Sequence, residues 1–397
     1  RQQVIMTTFN RSGRRKLASN TKPEAFVGTV RDMASDGRGV VRAPSGKVFL
    51  VSGVWLDETI EVEPTGSKGS IGFGVVKRLI EASAERREPS CGHHGFSSAQ
   101  CGGCPWQFMS YIAQLKAKQG RVEAHCAKLE LEDAALKPIL AAPSEWQYRN
   151  RAQFKTDGAK LGYVASGSNT LVDVKECPVL TPVNQSSLGS LRRHLPNKEW
   201  RPSKRNLWRT LNIDDTDSGV SVDARLPFRQ GNTDQNHNIR QWVREQISAL
   251  PRDWAALELF AGSGNFTTVL AEHFTHVTAV EGDESSVGEL ASLKLSNVTA
   301  ACYNLFNETA MDLLCKTYKK SQVLVVDPPR DGLKVRAPLL RRLRALEAVI
   351  YISCDLATWQ RDCLDWHKAG FTLRSVQGID LFPQTPHVEV MSVLARR

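Results

Sequence analysis

The chain has 397 residues, 41% hydrophobic and 24% charged, with a formal net charge of +10 and a pI of about 9.2. That length exceeds a single hydrophobic core and implies two or three domains; no apolar run approaches the ~20 residues of a membrane-spanning helix. The basic excess favours an anionic partner, nucleic acid first, over the plainer alternative of a soluble basic protein.

Residues 1–22 carry six Lys/Arg and no acid, and read as a basic disordered tail. They contain no apolar segment of the secretory kind, so a reducing, cytoplasmic setting is expected. Nine cysteines, an odd number at uneven spacing, then argue for metal binding or catalysis rather than disulfides.

From 23 to 82, five short β-like runs (FVGTVRDM, GRGVVRA, KVFLVSGV, ETIEVEP, GFGVVKRLI) are separated by Gly and Pro-Ser-Gly breaks. They predict a small barrel of the oligonucleotide-binding sort, or a β domain that serves only packing. The stretch 83–235 reads as a mixed α+β central domain. It opens with clustered cysteines, continues into a helical pattern from Phe108, and includes the β-like pieces RAQFKT, KLGYVA and TLVDV. A helix capped near Thr233 or Asp234 introduces the last domain, 236–397. There apolar strands alternate with amphipathic helices: AALELF, HVTAVEG, VTAACYN, QVLVVD and AVIYIS are each followed by a helical pattern. This predicts an α/β fold with a largely parallel, Rossmann-like sheet. There is no internal repeat.

Three strand ends of this series carry chemistry. LELFAGSGNF (257–266) runs a strand into a glycine-rich turn, where Gly262 and Gly264 permit a tight backbone and close ligand approach. No Gly-Lys-Ser/Thr follows, so it is not a P-loop, and the third Gly of the dinucleotide fingerprint is missing. Glu281, ending the next strand, suits ribose hydroxyls. The pair resembles the nucleoside site of class I S-adenosylmethionine methyltransferases. VLVVDPPRDGL (323–333) delivers Asp327 to the same crevice on a proline-stiffened loop, and AVIYIS delivers Cys354. HVEVMSVL reads as a final strand with Glu389 near its start. A cysteine in such a place is usually a small buried hydrophobe; beside two carboxylates it becomes a candidate nucleophile.

Together LELFAGSGNF, DPPRDGL, YISCDLAT and PHVEVMSVL resemble the RNA uracil-5 methyltransferase family. FRQGNTDQN (228–236) is similar to its Phe-x-Gln-x-Asn element, and residues 23–82 resemble a TRAM domain, an RNA-binding barrel. The resemblance implies Cys354 as nucleophile and Glu389 as base. Asp327 and Gln230 would line the uracil and donor site. Phe260, Asn265, Glu281 and Asn304 would join the two glycines in the S-adenosylmethionine pocket. Uracil C5 is a poor nucleophile, so a thiolate must add at C6 and a carboxylate must later remove the C5 proton. The target base must also leave its stack, by flipping or from a single-stranded loop.

Cys91, Cys101 and Cys104 lie in CGHHGFSSAQCGGC, whose spacing admits zinc with His93 or His94 as fourth ligand. This region resembles the iron–sulfur segment of the 23S rRNA branch, which implies a [4Fe–4S] cluster with Cys177 of KECPVL as distant ligand. The loop between Cys91 and Cys101 holds nine residues where the family usually has five. A second departure is Asp355-Leu356 after the nucleophile, where the family has Asn-Pro. Cys126, Cys302, Cys315 and Cys363 read as packing.

The expectation is an S-adenosylmethionine-dependent uridine C5 methyltransferase acting on RNA, 23S rRNA first, with no obligate protein partner. A tRNA enzyme, an N-methyltransferase using the DPP loop, a 5-methylcytosine enzyme and a non-catalytic RNA-binding iron–sulfur protein are the rivals.

Overall fold

The computed structural model describes residues 24–129, 135–224 and 228–397; the expected basic tail lies outside them. Strands β1 (Phe26–Met33), β2 (Gly39–Arg42), β3 (Val48–Val51), β4 (Thr59–Lys68) and β5 (Ile71–Glu81) close into a barrel in the order β1-β2-β3-β5-β4. Alternating inward residues fill it: Val30, Val41, Phe49, Val51, Ile60 and Val62 are buried. Below them Trp106, Met109, Ala113 and Ala117 extend the same cluster, so the barrel sits on helix α1 (Tyr111–Cys126). Trp106 is fully buried and donates its indole N–H to Gly37 O at 3.1 Å, which satisfies its one polar atom.

Strand β6 (Leu136–Leu140) comes next, followed by β7 (Arg151–Thr156), β8 (Leu161–Val164), β9 (Leu171–Asp173), α2 (Pro182–Arg193), β10 (Arg209–Asp214) and β11 (Asp217–Val222). Apart from β6, these strands form a five-stranded sheet, β11-β10-β7-β8-β9, with Leu188 and Leu191 of α2 in its core.

The remaining elements are α3 (Thr233–Ser248), β12 (Ala255–Leu259), α4 (Thr267–His273), β13 (His276–Glu281), α5 (Glu284–Ser292), β14 (Val298–Cys302), α6 (Glu308–Thr317), β15 (Val323–Val326), α7 (Ala337–Arg342), β16 (Ala348–Ser353), α8 (Leu356–Lys368), β17 (Phe371–Ile379) and β18 (Glu389–Arg396). They build an eight-stranded sheet in the order β14-β13-β12-β15-β16-β18-β17-β6. Strands β12 to β16 run parallel, as the alternating pattern predicts, and their buried positions are mostly apolar on both faces, Glu258 of β12 excepted. α3 and α4 cover one face; α6, α7, α8 and the end of α1 cover the other.

Two features differ from the sequence expectation. α1 and β6 belong to the stretch 83–235, yet β6 pairs parallel with β17 as the eighth strand and α1 packs on α8 and β17. LKPIL is short and holds a proline, which suits an edge. α3 starts at Thr233, with the Asn232 side chain accepting from Gln235 N, so the cap lies one residue before the expected pair.

Candidate active site

The order β14-β13-β12-β15 reverses direction at β12, and the crevice at the strand C-termini opens there. The glycine turn after β12 has left-handed backbone at Phe260 (φ 62°), Gly262 (φ 54°) and Gly264 (φ 101°). A Cβ on Gly262 would meet nothing within 4 Å, whereas one on Gly264 would lie 2.7 Å from Leu293 and 2.9 Å from Leu290. Gly262 therefore leaves room on the crevice side, and Gly264 lets α5 pack close. Glu281 braces the turn: its carboxylate accepts from Gly262 N at 3.0 Å and Gly282 N at 2.6 Å.

Around that turn the expected pocket residues divide. Phe260 places its ring 5.8 Å from Phe306, an exposed aromatic the sequence reading missed although it lies two positions past Asn304. Asn304 is exposed and accepts from Phe306 N at 3.0 Å. Asn265 turns to α3 instead, where its amide exchanges hydrogen bonds of 2.9 and 3.0 Å with Asn236. The side chain is committed to tying the turn to α3. Beneath it Glu258 is fully buried and accepts from Thr267 Oγ1 at 2.5 Å, and its other oxygen has no hydrogen-bond partner among the described residues. Burial pushes its carboxyl up to about 8.

Cys354 and Glu389 meet through register. β18 is antiparallel to β16, with Ser353 opposite Val390, so the residue just past the end of β16 lies beside the residue that starts β18. Glu389 is buried on an interior strand and is pushed up to about 8 by burial, then by the charge of Asp327. Asp327 is half-buried by surface yet walled by protein, and burial pushes it up to about 7. The Cys354 thiol rises to about 11 through burial first, then through Glu389 and Asp327, with Arg330 pulling the other way. No hydrogen bond commits the Asp327 or Glu389 carboxyl among the described residues. An uncommitted thiol beside two proton-holding carboxyls is a group poised for covalent chemistry that needs a matched base.

Asp355 is engaged elsewhere. Its carboxylate caps α8, accepting from Thr358 N at 2.8 Å, and its charge faces Arg121 of α1. Gln230 is buried; its backbone carbonyl accepts from Asn150 Nδ2 at 2.9 Å, and no hydrogen bond among the described residues engages its side-chain amide.

The loop between β17 and β18, 380–388, is held from several sides. Gln114 and Gln384 exchange hydrogen bonds of 2.9 and 2.8 Å, Lys118 Nζ donates to Asp380 at 2.5 Å, and Tyr148 donates to Pro383 O at 2.8 Å. Gln384 itself is left-handed (φ 71°). His387, ringed by Arg330, Lys118, Arg121 and Arg149, is pushed down to about 4, mainly by burial.

The expected metal ligands come together only partly. Cys101 and Cys177 pack against the core of the five-stranded sheet, and the charges of Cys91, Cys101, Cys104 and Cys177 act on one another. Burial pushes Cys104 up to about 12 and Cys177 to about 11. The half-buried Arg149 guanidinium faces both. Yet among the described residues no three His, Cys, Asp or Glu side chains converge as metal ligands. His93 Nε2 is occupied, accepting from Lys175 N at 3.0 Å, which disfavours it as a zinc ligand through that atom. Cys302 corrects the packing expectation: it is exposed at the end of the edge strand β14, opposite Glu281, where only one side has a neighbour.

Residues 203–397 match the family model described as tRNA (Uracil-5-)-methyltransferase. The chain is 35% identical to an uncharacterised RNA methyltransferase of Nitrosomonas europaea, covering 94% of this chain and 97% of that one. It is 30% identical to the 23S rRNA (uracil(1939)-C(5))-methyltransferase RlmD of Klebsiella pneumoniae, covering 95% and 97%. The chain belongs to the RNA uracil-5-methyltransferase family. As a member of that family it is an enzyme, an RNA methyltransferase. The fold agrees: Pyrococcus abyssi tRNA (uracil-54, C5)-methyltransferase, solved with S-adenosyl-L-homocysteine, superposes with a TM-score of 0.69 at 19% identity, covering 93% of this chain and 99% of that one.

Proposed function

We propose that this enzyme methylates uridine C5 in RNA, with 23S rRNA the first candidate, through a covalent bond between Cys354 and uracil C6. The observation that carries this reading is the pairing of Cys354 with Glu389 across the β16–β18 register, beside Asp327 and the glycine turn. S-adenosylmethionine, when bound, supplies a methyl group on a sulfonium centre. Gly262 leaves space for it, Glu281 offers a carboxylate beside the turn that would suit its ribose, and Phe260 with Phe306 offers aromatic faces to its base.

Cys354 gives its proton to solvent and its sulfur bonds to C6, which moves the C5–C6 electron pair into an enolate. C5 then takes the methyl group. Glu389, as carboxylate, removes the C5 proton, the electron pair returns to C5–C6, and the C6–sulfur bond breaks to free Cys354. Gln230 supplies a free amide matched to a uracil edge, and Arg330 favours the thiolate. A base reaching so recessed a thiol must be unstacked, and the barrel at 26–81 fits an RNA-gripping, TRAM-like role.

Cys91, Cys101, Cys104 and Cys177 are the residues that would hold a [4Fe–4S] cluster, with Arg149 offsetting its negative charge. Iron and acid-labile sulfide assay of anaerobically purified protein tests this; zinc in their place supports the alternative. The rRNA preference rests on the Klebsiella relative, whereas the Pyrococcus tRNA enzyme shares the fold at 19% identity. Mapping 5-methyluridine in a deletion strain, in the cytoplasmic RNA pool, identifies the target.

The deciding assay uses uracil-containing RNA and labelled donor. Label at C5 that disappears in Cys354→Ala supports the reading. Unchanged turnover in that variant removes the covalent mechanism and favours an N-methyltransferase; label on cytosine favours the 5-methylcytosine rival. Failure to bind donor favours a non-catalytic RNA-binding protein.

A further inference from the structure

Three consecutive residues connect parts of the molecule that the chain keeps far apart. Tyr148 is buried, and its hydroxyl donates to Pro383 O at 2.8 Å, inside the loop that leads to Glu389. Arg149 forms isolated β-bridges on both sides, to Leu180 and to Asn232. Asn150 is fully buried; Nδ2 donates to Gln230 O at 2.9 Å and to Thr233 Oγ1 at 2.8 Å, and its amide donates to Gly231 O at 3.1 Å. The same segment is fixed to the chain following Cys177: Gln147 N donates to Pro178 O and Arg149 N to Val179 O, at 3.0 and 2.7 Å. A second strut leaves the cysteine region directly, since Trp106, two residues past Cys104, donates its amide to Gln384 O at 3.0 Å.

Both sides of the Tyr148–Pro383 contact hold strained backbone. Gln147 (φ 55°) and Gln384 (φ 71°) are non-glycine residues in the left-handed region. Such conformations persist only where surrounding contacts over-determine them, and they concentrate at functional sites. A hydroxyl buried this deeply needs an acceptor, and the one Tyr148 uses is the remote Pro383 carbonyl, so the hydroxyl fixes where Pro383 sits.

We propose that Tyr148 and Asn150 are positioning residues, a bracket that sets Glu389's loop and the Gln230 turn at fixed places relative to the cysteine-bearing loops. Neither side chain is placed to touch the substrate. Each holds a backbone carbonyl from which a working side chain is hung: Pro383 lies six residues before Glu389, and Gln230 is held by its own carbonyl. The bracket rests on the uracil C5 reading above. It gives the cysteine region a catalytic consequence, because the loops that carry Cys104 and Cys177 also anchor this bracket.

The consequence is specific to one step. If Glu389 is displaced while Cys354 is not, addition at C6 and methyl transfer proceed, but loss of the C5 proton slows. The methylated protein–RNA adduct then accumulates. Tyr148→Phe removes only the hydroxyl. We expect its kcat to fall about tenfold or more, with KM for S-adenosylmethionine within about twofold, and an SDS-stable adduct to appear on ordinary uridine RNA. Asn150→Ala, which frees Gln230, is expected to raise KM for RNA instead. Wild-type turnover without adduct in Tyr148→Phe overturns the proposal. So does a loss that merely follows a lower unfolding temperature and weaker donor binding. If the wild-type protein itself transfers no methyl group to uracil, the functional reading fails, and that outcome is distinct because it does not depend on Tyr148.

Discussion

Lys118 Nζ lies 2.5 Å from Asp380 Oδ1, with both side chains fully buried. Lys118 also donates to Phe382 O at 3.2 Å, so one ammonium on α1 holds the start of the loop before Glu389. Burial opposes the charge on Lys118 and the facing carboxylate restores part of it. Breaking such a pair leaves an isolated charge: Lys118→Met is expected to destabilise by roughly 3–5 kcal/mol. Lys118→Met with Asp380→Leu should recover most of that loss, read by chemical denaturation. Equal destabilisation in the single and double variants would contradict this.

The pH dependence follows from the raised groups. Glu389, at about 8, and Cys354, at about 11, must both lose a proton before they act. Activity should therefore rise through the neutral range, with kcat/KM increasing about tenfold or more between pH ~6.5 and ~8.5. A flat profile would mean that neither Glu389 nor Cys354 limits the rate by holding its proton across that range.

Glu389→Gln separates the two halves of the reaction. The thiol still adds and the methyl group still transfers, but no carboxylate removes the C5 proton. Turnover is expected to drop about a hundredfold or more, with the protein found joined to RNA under denaturing gel conditions. Turnover lost without any adduct would place Glu389 earlier in the sequence of events.

Glu258 is a stability lever. Its folded value of about 8 lies above the ordinary 4.5. A group raised in this way stabilises the fold fully at acid pH, and that stabilisation is lost as pH rises from about 4.5 through 8. Glu258→Gln keeps an acceptor for Thr267 and removes the titration. It should raise stability at pH ~8 by on the order of 1–3 kcal/mol, and flatten the pH dependence of the unfolding midpoint. Lower stability at pH 8 would show that the charged form is held by partners within the fold.

Asp355 acts on a helix rather than on the thiol. The charges that most affect Cys354 are Glu389, Asp327 and Arg330, while Asp355 caps α8. Asp355→Asn retains a good cap and should change stability by a few tenths of a kcal/mol; Asp355→Ala should cost about 1 kcal/mol. Neither should move the pH midpoint of Cys354 alkylation by more than about half a unit.

Much of this architecture is local and therefore legible in sequence. The βαβ alternation, the five barrel strands, the left-handed glycines and the strand-end places of Asp327 and Cys354 all follow from periodicity and turn chemistry. What escaped is non-local. Nothing around LKPIL announces that β6 will pair with β17, because an edge strand needs only one partner and the paired residues lie 239 or 240 positions apart. No spacing in the sequence announces that Asn236 will take both ends of the Asn265 amide. Lys118 reads as one more solvated lysine in a helix, and only the fold buries it against Asp380. Residues that act through distant backbone carbonyls, such as Tyr148, have no spacing signature at all.

The parallel pairing of β6 with β17 also bears on how the molecule can be cut and made. A fragment beginning near residue 203, where the family-model match begins, would carry β17 with a bare edge and without α1 over it. Such an edge is a template for another chain, so the fragment should associate rather than stay dispersed. On the ribosome the order is reversed: β6 emerges long before β17 and must wait, unpaired, for nearly the whole remaining chain. The last strands to be synthesised are thus the ones that let the early segment find its place.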